Sequence, residues 1–181
     1  CIRDSVNSML FKTLGALLVI ISCSKIGADM ASRLSARRGL LKKIRVMVIH
    51  LRGEILYANV PLYEGFQKAG KRAGGREGLL FRTVADRLLK GLGDDFFSIW
   101  QEEAGAYLTQ TPLIREEREQ FLAFGEHLGY LDREMQERTL SLYLEELERE
   151  AEELNQEIAQ KSRLYTSAGI LAGLFLTVVF I

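Results

Sequence analysis

The chain is 181 residues long, and its 24 lysines and arginines equal its 24 aspartates and glutamates, so it presents no global field for nucleic acid or an acidic substrate. Two cysteines, Cys1 and Cys23, are too few for a disulfide framework and point to reducing surroundings. Two prolines and a middle poor in Val/Ile/Thr runs favour helices over a sheet.

Met9-Leu10-Phe11-Lys12 has the look of a natural start, which makes residues 1–8 an expected extension. The first apolar segment runs from about Thr13 to Ala31, and a helix of that length rises about 28 Å, close to the hydrocarbon thickness of a bilayer. Residues 9–33 therefore read as an N-terminal transmembrane anchor. Lys25 lies near its inner end, where it can snorkel to the headgroups and pair with Asp29 at i,i+4 spacing. A lipoprotein cleavage site is the rival reading, because Ile20-Ile21-Ser22-Cys23 offers a lipidatable cysteine. Against it stand Arg33, Arg37, Arg38, Lys42, Lys43, Arg45 and Arg52, with no acidic residue among them. The positive-inside rule keeps such a block in the cytoplasm.

Residues 34–163 are the expected cytoplasmic domain. From Gly39 to Asn59, apolar residues at Leu40, Ile44, Met47, Val48, Leu51 and Ile55 predict a helix with one buried stripe and a basic opposite face. Pro61 suits the first turn of a second helix, whose apolar side is Leu62, Phe66 and Ala69. Gly70 to Gly78 reads as a loop. Leu79–Leu89 forms a short amphipathic helix, and Asp94 or Asp95 caps the next, which carries Trp100 as a core anchor. Thr111 with Pro112 marks another helix start, lined by Ile114, Phe121, Phe124 and Leu128 and closed by Gly129.

From Asp132 one long helix follows. Leu140, Leu144, Leu147, Ala151, Leu154 and Ile158 alternate spacings of four and three, a heptad seam. Ten acidic residues stand against five basic ones between Asp132 and Arg163. An antiparallel hairpin with the basic first helix would join the complementary charges. Residues 164–181 then read as a C-terminal transmembrane anchor, about 25 Å of uncharged helix from Tyr165 onward. Its Gly169-Ile170-Leu171-Ala172-Gly173 string is a small-xxx-small pattern that lets a second helix approach closely.

No chemistry-bearing motif emerges. His50 with Glu54, and Glu126 with His127, are the carboxylate–histidine neighbours, and neither makes a metal set. There is no phosphate-binding Gly-rich loop, no nucleophile elbow and no activated cysteine. The expectation is a protein without enzymatic activity, metal or cofactor.

The order and spacing of several pieces carry a resemblance. They are Leu14-Gly15-Ala16, Leu51-Arg52-Gly53-Glu54-Ile55 with Pro61-Leu62, Trp100, Phe124-Gly125-Glu126-His127-Leu128-Gly129 with Asp132, and Gly169 to Gly173. From Met9 onward the chain resembles the stage III sporulation protein AB family of endospore-forming bacteria. That family in turn looks like one half of the type II secretion F inner-membrane platform. The Lys25–Asp29 pair departs from the uncharged anchor the family implies.

The resemblance implies an all-α cytoplasmic bundle of five to six helices between two anchors. It implies a place in the AA–AH channel complex of the mother-cell or outer forespore membrane, with the central domain facing the mother-cell cytoplasm. The protein would couple the cytoplasmic AA ATPase to a membrane ring. Expected partners are the stage III sporulation proteins, membrane lipids and another copy of the chain, with no nucleic acid. Candidate partner contacts, taken as exposed, are Glu54 and Pro61 at one bend and Glu126, His127 and Asp132 at the other. Gly169 and Gly173 are the candidates for membrane-helix packing. The alternative is a membrane-tethered coiled-coil spacer that dimerises through Leu140–Ile158.

Overall fold

The computed structural model describes residues 25, 29, 32–91, 95–129 and 132–180; over 162, 163 and 165–180 it describes the backbone alone. The chain divides into two units, Ala36–Asn155 and the flanking Cys1–Ser35 with Gln156–Ile181. All regular structure among the described residues is helical. In chain order it comprises α1 (32–56), α2 (Leu62–Ala73), α3 (Gly75–Lys90), α4 (Phe96–Leu108), α5 (Arg115–Leu128) and α6 (Arg133–Phe180).

Within Ala36–Asn155, α1 and α6 form the expected antiparallel hairpin. Arg38 Nη1 donates to Asn155 Oδ1 at 2.9 Å, Arg45 meets Glu148 at 3.1 Å, and Arg52 meets Glu137 at 3.6 Å. The two numbers in each pair change in opposite directions, as antiparallel alignment requires. Partly exposed ion pairs such as the last two each contribute about 0–1 kcal/mol, so they set register more than stability.

Stability comes from the core beneath. Leu41, Ile44, Met47, Val48 and Leu51 of α1 are buried, as are Leu140, Leu144, Leu147, Ala151 and Leu154 of α6. The heptad seam is thus consumed inside one chain. Around Trp100, itself fully buried, gather Phe66, Phe81, Phe96, Phe121 and Phe124, with ring centroids 4.9 to 6.2 Å from the indole. The indole N–H donates to Phe121 O at 3.1 Å, so this large side chain is buried without an unsatisfied donor.

Several local expectations need correction. Gly70 to Gly78 is not a loop, for α2 runs to Ala73 and α3 starts at Gly75, with Gly74 the single hinge between them at φ +63°. A Cβ on Gly70 would lie 2.7 Å from the Gly78 carbonyl oxygen, and one on Gly78 would collide with the Gly70 carbonyl. These glycines bring two helices together rather than break them.

Thr111 does not cap α5. Its hydroxyl donates back to Leu108 O at 2.9 Å, and the helix begins at Arg115. Glu117 closes the start instead, accepting from Ile114 N at 2.9 Å, while Arg118 binds the Thr111 and Leu113 carbonyls. Asp95 is the cap of α4, accepting from Ser98 N at 2.6 Å. α1 starts no later than Ser32, well before the expected Gly39.

In the second unit, Lys161 pairs with Glu157 at 2.6 Å, and the Ser32 hydroxyl donates to Asp29 O at 2.8 Å. Among the described residues no helix is long and apolar enough to cross a membrane. Most of the 9–33 segment lies outside the described residues. Of 164–181, the described part is the helical backbone to Phe180 and the exposed Leu164 side chain, so Gly169 and Gly173 are placed on α6 and no more.

Candidate interaction surface

The candidate residues separate into two groups with different environments. Glu54 is not an exposed contact. It is 6% exposed and holds Arg72 at 3.0 Å and Lys68 at 3.5 Å, tying α1 to α2. Lys68 also meets Glu64 at 2.8 Å; the two carboxylates hold its ammonium above the usual lysine range, Glu64 contributing most. The i,i+4 spacing that linked Glu54 to His50 in the sequence leaves no trace in these pairings.

Of the other four candidates, Pro61 and Asp132 sit at turns, and Glu126 and His127 lie in the last turn of α5. Pro61 precedes α2 as its N-cap, one position earlier than expected, and its carbonyl accepts from Glu64 N and Gly65 N at 3.0 Å. The turn before it needs a left-handed residue at Asn59, φ 53°, a conformation that asparagine tolerates better than most. Across from it, Asp132 caps α6 by accepting from Met135 N at 2.9 Å. Gln136 Nε2 donates to Leu128 O at 2.9 Å and so satisfies the end of α5.

Arg133 joins these two turns. Its guanidinium donates to Asn59 Oδ1 at 3.1 Å and to the Leu56 carbonyl. The α1–α2 and α5–α6 turns, 74 residues apart along the chain at this contact, thereby form one end of the bundle. Exposed on it are Glu126, His127 and Asp132 together with Pro61 and Tyr57. The rigidity of this end comes from below. A Cβ on Gly125 would overlap the Trp100 indole, and one on Gly129 would lie 2.9 Å from the Phe96 ring. Gly125 and Gly129 therefore lock α5 onto α4, and Glu126 and His127 are presented outward from a fixed helix.

A buried ionic cluster was missed in the sequence. Arg37 grips Glu117 with Nε and Nη2 at 2.8 to 2.9 Å, and the Glu117 side chain is 1% exposed. Glu117 stands at capping-box spacing from Ile114, but Pro112 drew attention to an earlier helix start. Glu150 of α6 is also buried, and its Oε2 has no hydrogen-bond partner. Burial first, then the Glu117 and Glu146 carboxylates, push the Glu150 carboxyl up to about 7; Arg149 and Gln120 act weakly in the other direction. Tyr143, buried and facing Glu150 and Glu117, is held well above the ordinary phenol range by burial and those charges.

The sign for Glu150 follows from its two states. The folded protein holds this proton more tightly than the unfolded chain, so the group favours folding at low pH. That contribution is lost as pH rises from about 4.5 through about 7. Glu150→Gln, uncharged at every pH, is expected to raise the melting temperature over the parent at pH 8. At pH 4 the two should melt together. Thermal melts of both proteins across that range measure the difference.

Among the described residues no group of three or more His, Cys, Asp or Glu could hold a metal. The exposed turn residues likewise lack a nucleophile paired with a base, the arrangement that acyl or phosphoryl chemistry would need. Fold and surface together define an all-helical bundle that presents one ordered polar end.

Known proteins identify it further. Residues 12–181 match the family model of stage III sporulation protein AB, and the chain belongs to that family. Stage III sporulation protein AB of Bacillus subtilis (strain 168) is 29% identical over 167 residues, 92% of this chain and 97% of that protein. A solved structure of stage III sporulation protein AB superposes with a TM-score of 0.62 at 27% identity, covering 68% of this chain and 97% of that one. The all-α bundle and the place among sporulation proteins are thus established.

Proposed function

We propose that this chain is a non-enzymatic membrane platform component of the AA–AH channel complex. Residues 9–33 and 164–181 anchor it in the mother-cell or outer forespore membrane, and 34–163 face the mother-cell cytoplasm. Support for the anchors is the apolar length of both segments and the basic residues at their inner ends. Gly169 and Gly173 are the positions at which the tail would pack on a neighbouring membrane helix.

The observation that carries the platform reading is the junction made by Arg133. It gathers Pro61, Glu126, His127 and Asp132 at one end of a bundle stiffened by the Trp100–Gly125 contact. A surface of charged side chains on fixed helix ends suits docking of the cytoplasmic AA ATPase, for which little ordering entropy remains to be lost. Burial of Leu140 to Leu154 inside the chain weighs against a spacer that dimerises through that seam.

The test is co-purification of the AA ATPase with the full-length protein from sporulating cells. Combined Glu126→Ala, His127→Ala and Asp132→Ala substitution is expected to abolish it while the melting temperature drops by only a few degrees, the effect of losing the Asp132 cap. Undiminished recovery of the ATPase with the triple variant would overturn the assignment of this surface.

A further inference from the structure

The outward side of α1 carries a second repeat. Gly39, Lys42, Val46, Ile49 and Gly53 alternate spacings of three and four, on the side away from the buried Leu40, Ile44, Met47 and Leu51. Val46 and Ile49 are 46% and 41% exposed, and Lys42 is exposed between them and Gly39. A Cβ on Gly39 or Gly53 would meet nothing within 4 Å.

That openness sets these two glycines apart. Gly70, Gly78, Gly125 and Gly129 each admit a neighbour that a side chain would exclude. Gly39 and Gly53 admit none of the described residues, yet glycine inside a helix weakens it relative to alanine. Gly105 of α4 is open as well, but no large apolar residue of its helix is exposed.

Charge decides what could cover this face. Arg37, Arg38, Lys43, Arg45 and Arg52 all reach polar or acidic partners on α3, α5 or α6. Lys42 has no ionic partner among the described residues. Covering Val46 and Ile49 with apolar atoms would desolvate its ammonium, which is unfavourable unless the newcomer brings a carboxylate. A lipid surface is less suited, because most cations of α1 are already engaged inside the bundle. A second copy meeting this face with its own would supply no acid to Lys42. Next to Gly39 lies a cleft of about 390 Å³ between α1, α3 and the end of α4, lined by Leu40, Tyr107 and Pro112, where Lys43 is held by Glu77 and Arg76 by Gln110, so that Lys42 is the cation left to a newcomer.

We propose that this face of α1 docks an amphipathic helix of another protein. Apolar side chains of that helix lie over Gly39, Val46, Ile49 and Gly53, one of them seated in the cleft. An aspartate or glutamate along its edge meets Lys42. The two glycines stand 14 residues apart, about 21 Å, and let the partner approach closely over four turns of helix. This surface is separate from the Glu126–Asp132 end and does not rest on the ATPase reading.

The experiment uses the full-length chain in sporulating cells, with a diazirine amino acid in place of Val46 or Ile49. The expected product is a crosslink to another protein. Sequencing should place the linked peptide in a segment with apolar residues at spacings of three and four and acidic residues between them. Lys42→Glu and Gly53→Leu should each cut its yield more than tenfold, and the same probe at the exposed Leu142 of α6 should not produce it. Since Gly53 faces open space, the Gly53→Leu protein should melt no lower than the parent, which separates lost docking from lost folding. The crosslink should persist in the Glu126→Ala, His127→Ala, Asp132→Ala protein, so failure here and failure of the ATPase surface are distinguishable. No crosslink, a crosslink to lipid or to a second copy, a linked segment without acidic residues, or a yield indifferent to Lys42→Glu and Gly53→Leu overturns the proposal.

Discussion

Gly125→Ala is expected to destabilise the bundle by about 3 kcal/mol or more, lowering the melting temperature by roughly 10 °C. The added methyl would fall within the indole of Trp100, not against the end of a flexible side chain. Trp100 cannot move aside easily. Its N–H is committed to Phe121 O, and Phe66, Phe81, Phe96, Phe121 and Phe124 surround it. Relief must come from α5 lifting off α4, which would also displace Gly129 from the Phe96 ring. Trp100→Ala alone should lose about 3–5 kcal/mol through its cavity. Combined with Gly125→Ala the losses should be well short of additive, because the methyl then enters space the indole has left. Chemical denaturation of the two single variants and the double variant measures the coupling; strict additivity would contradict the packing described.

Arg37→Ala carries the second large effect, about 3 kcal/mol. It removes both guanidinium donors from Glu117, whose side chain is 1% exposed, and leaves that carboxylate with the Ile114 N–H and the nearby carboxyl of Glu150. Arg37→Lys should recover little, since a single ammonium cannot reproduce the two-pronged contact. Glu117→Gln placed on Arg37→Ala should recover part of the loss, because the amide oxygen can still accept from Ile114 N without an unpaired charge. Urea denaturation midpoints at pH 7 compare these proteins. An Arg37→Ala midpoint equal to that of the parent would show that the pair contributes nothing to the fold.

These two sites mark how much of the architecture was legible in the linear pattern. Trp100 reads as a core anchor because its helix carries no convergent polar group, and it is one. That Gly125 exists to admit the indole cannot be read from spacing, since the two residues meet only when α4 packs on α5. The α1–α6 hairpin was visible as a basic helix and an acidic helix, and Arg45–Glu148 and Arg52–Glu137 bear that out. The same logic failed at Arg37, which pairs with α5 instead of the acidic helix, because its position turns it inward toward Glu117. Glu54 failed for a related reason. A glutamate near a bend reads as exposed, while the approach of α2 covers it and supplies Arg72 and Lys68. The segment from Gly70 to Gly78 misled in the opposite direction, because glycines that signal a break in isolation also permit helices to touch.

By itself the sequence determined the helical class, the apolar stripes that face inward, the acidic and basic partition of the two longest helices, and membership of the sporulation family. All of these depend on residue type and period along one chain direction. Tertiary structure alone decided which turns share an end, which carboxylates are buried, and which glycines are contact points and which stand open. Those properties depend on the distance between segments remote in sequence, and the periodicity of a single helix does not encode it.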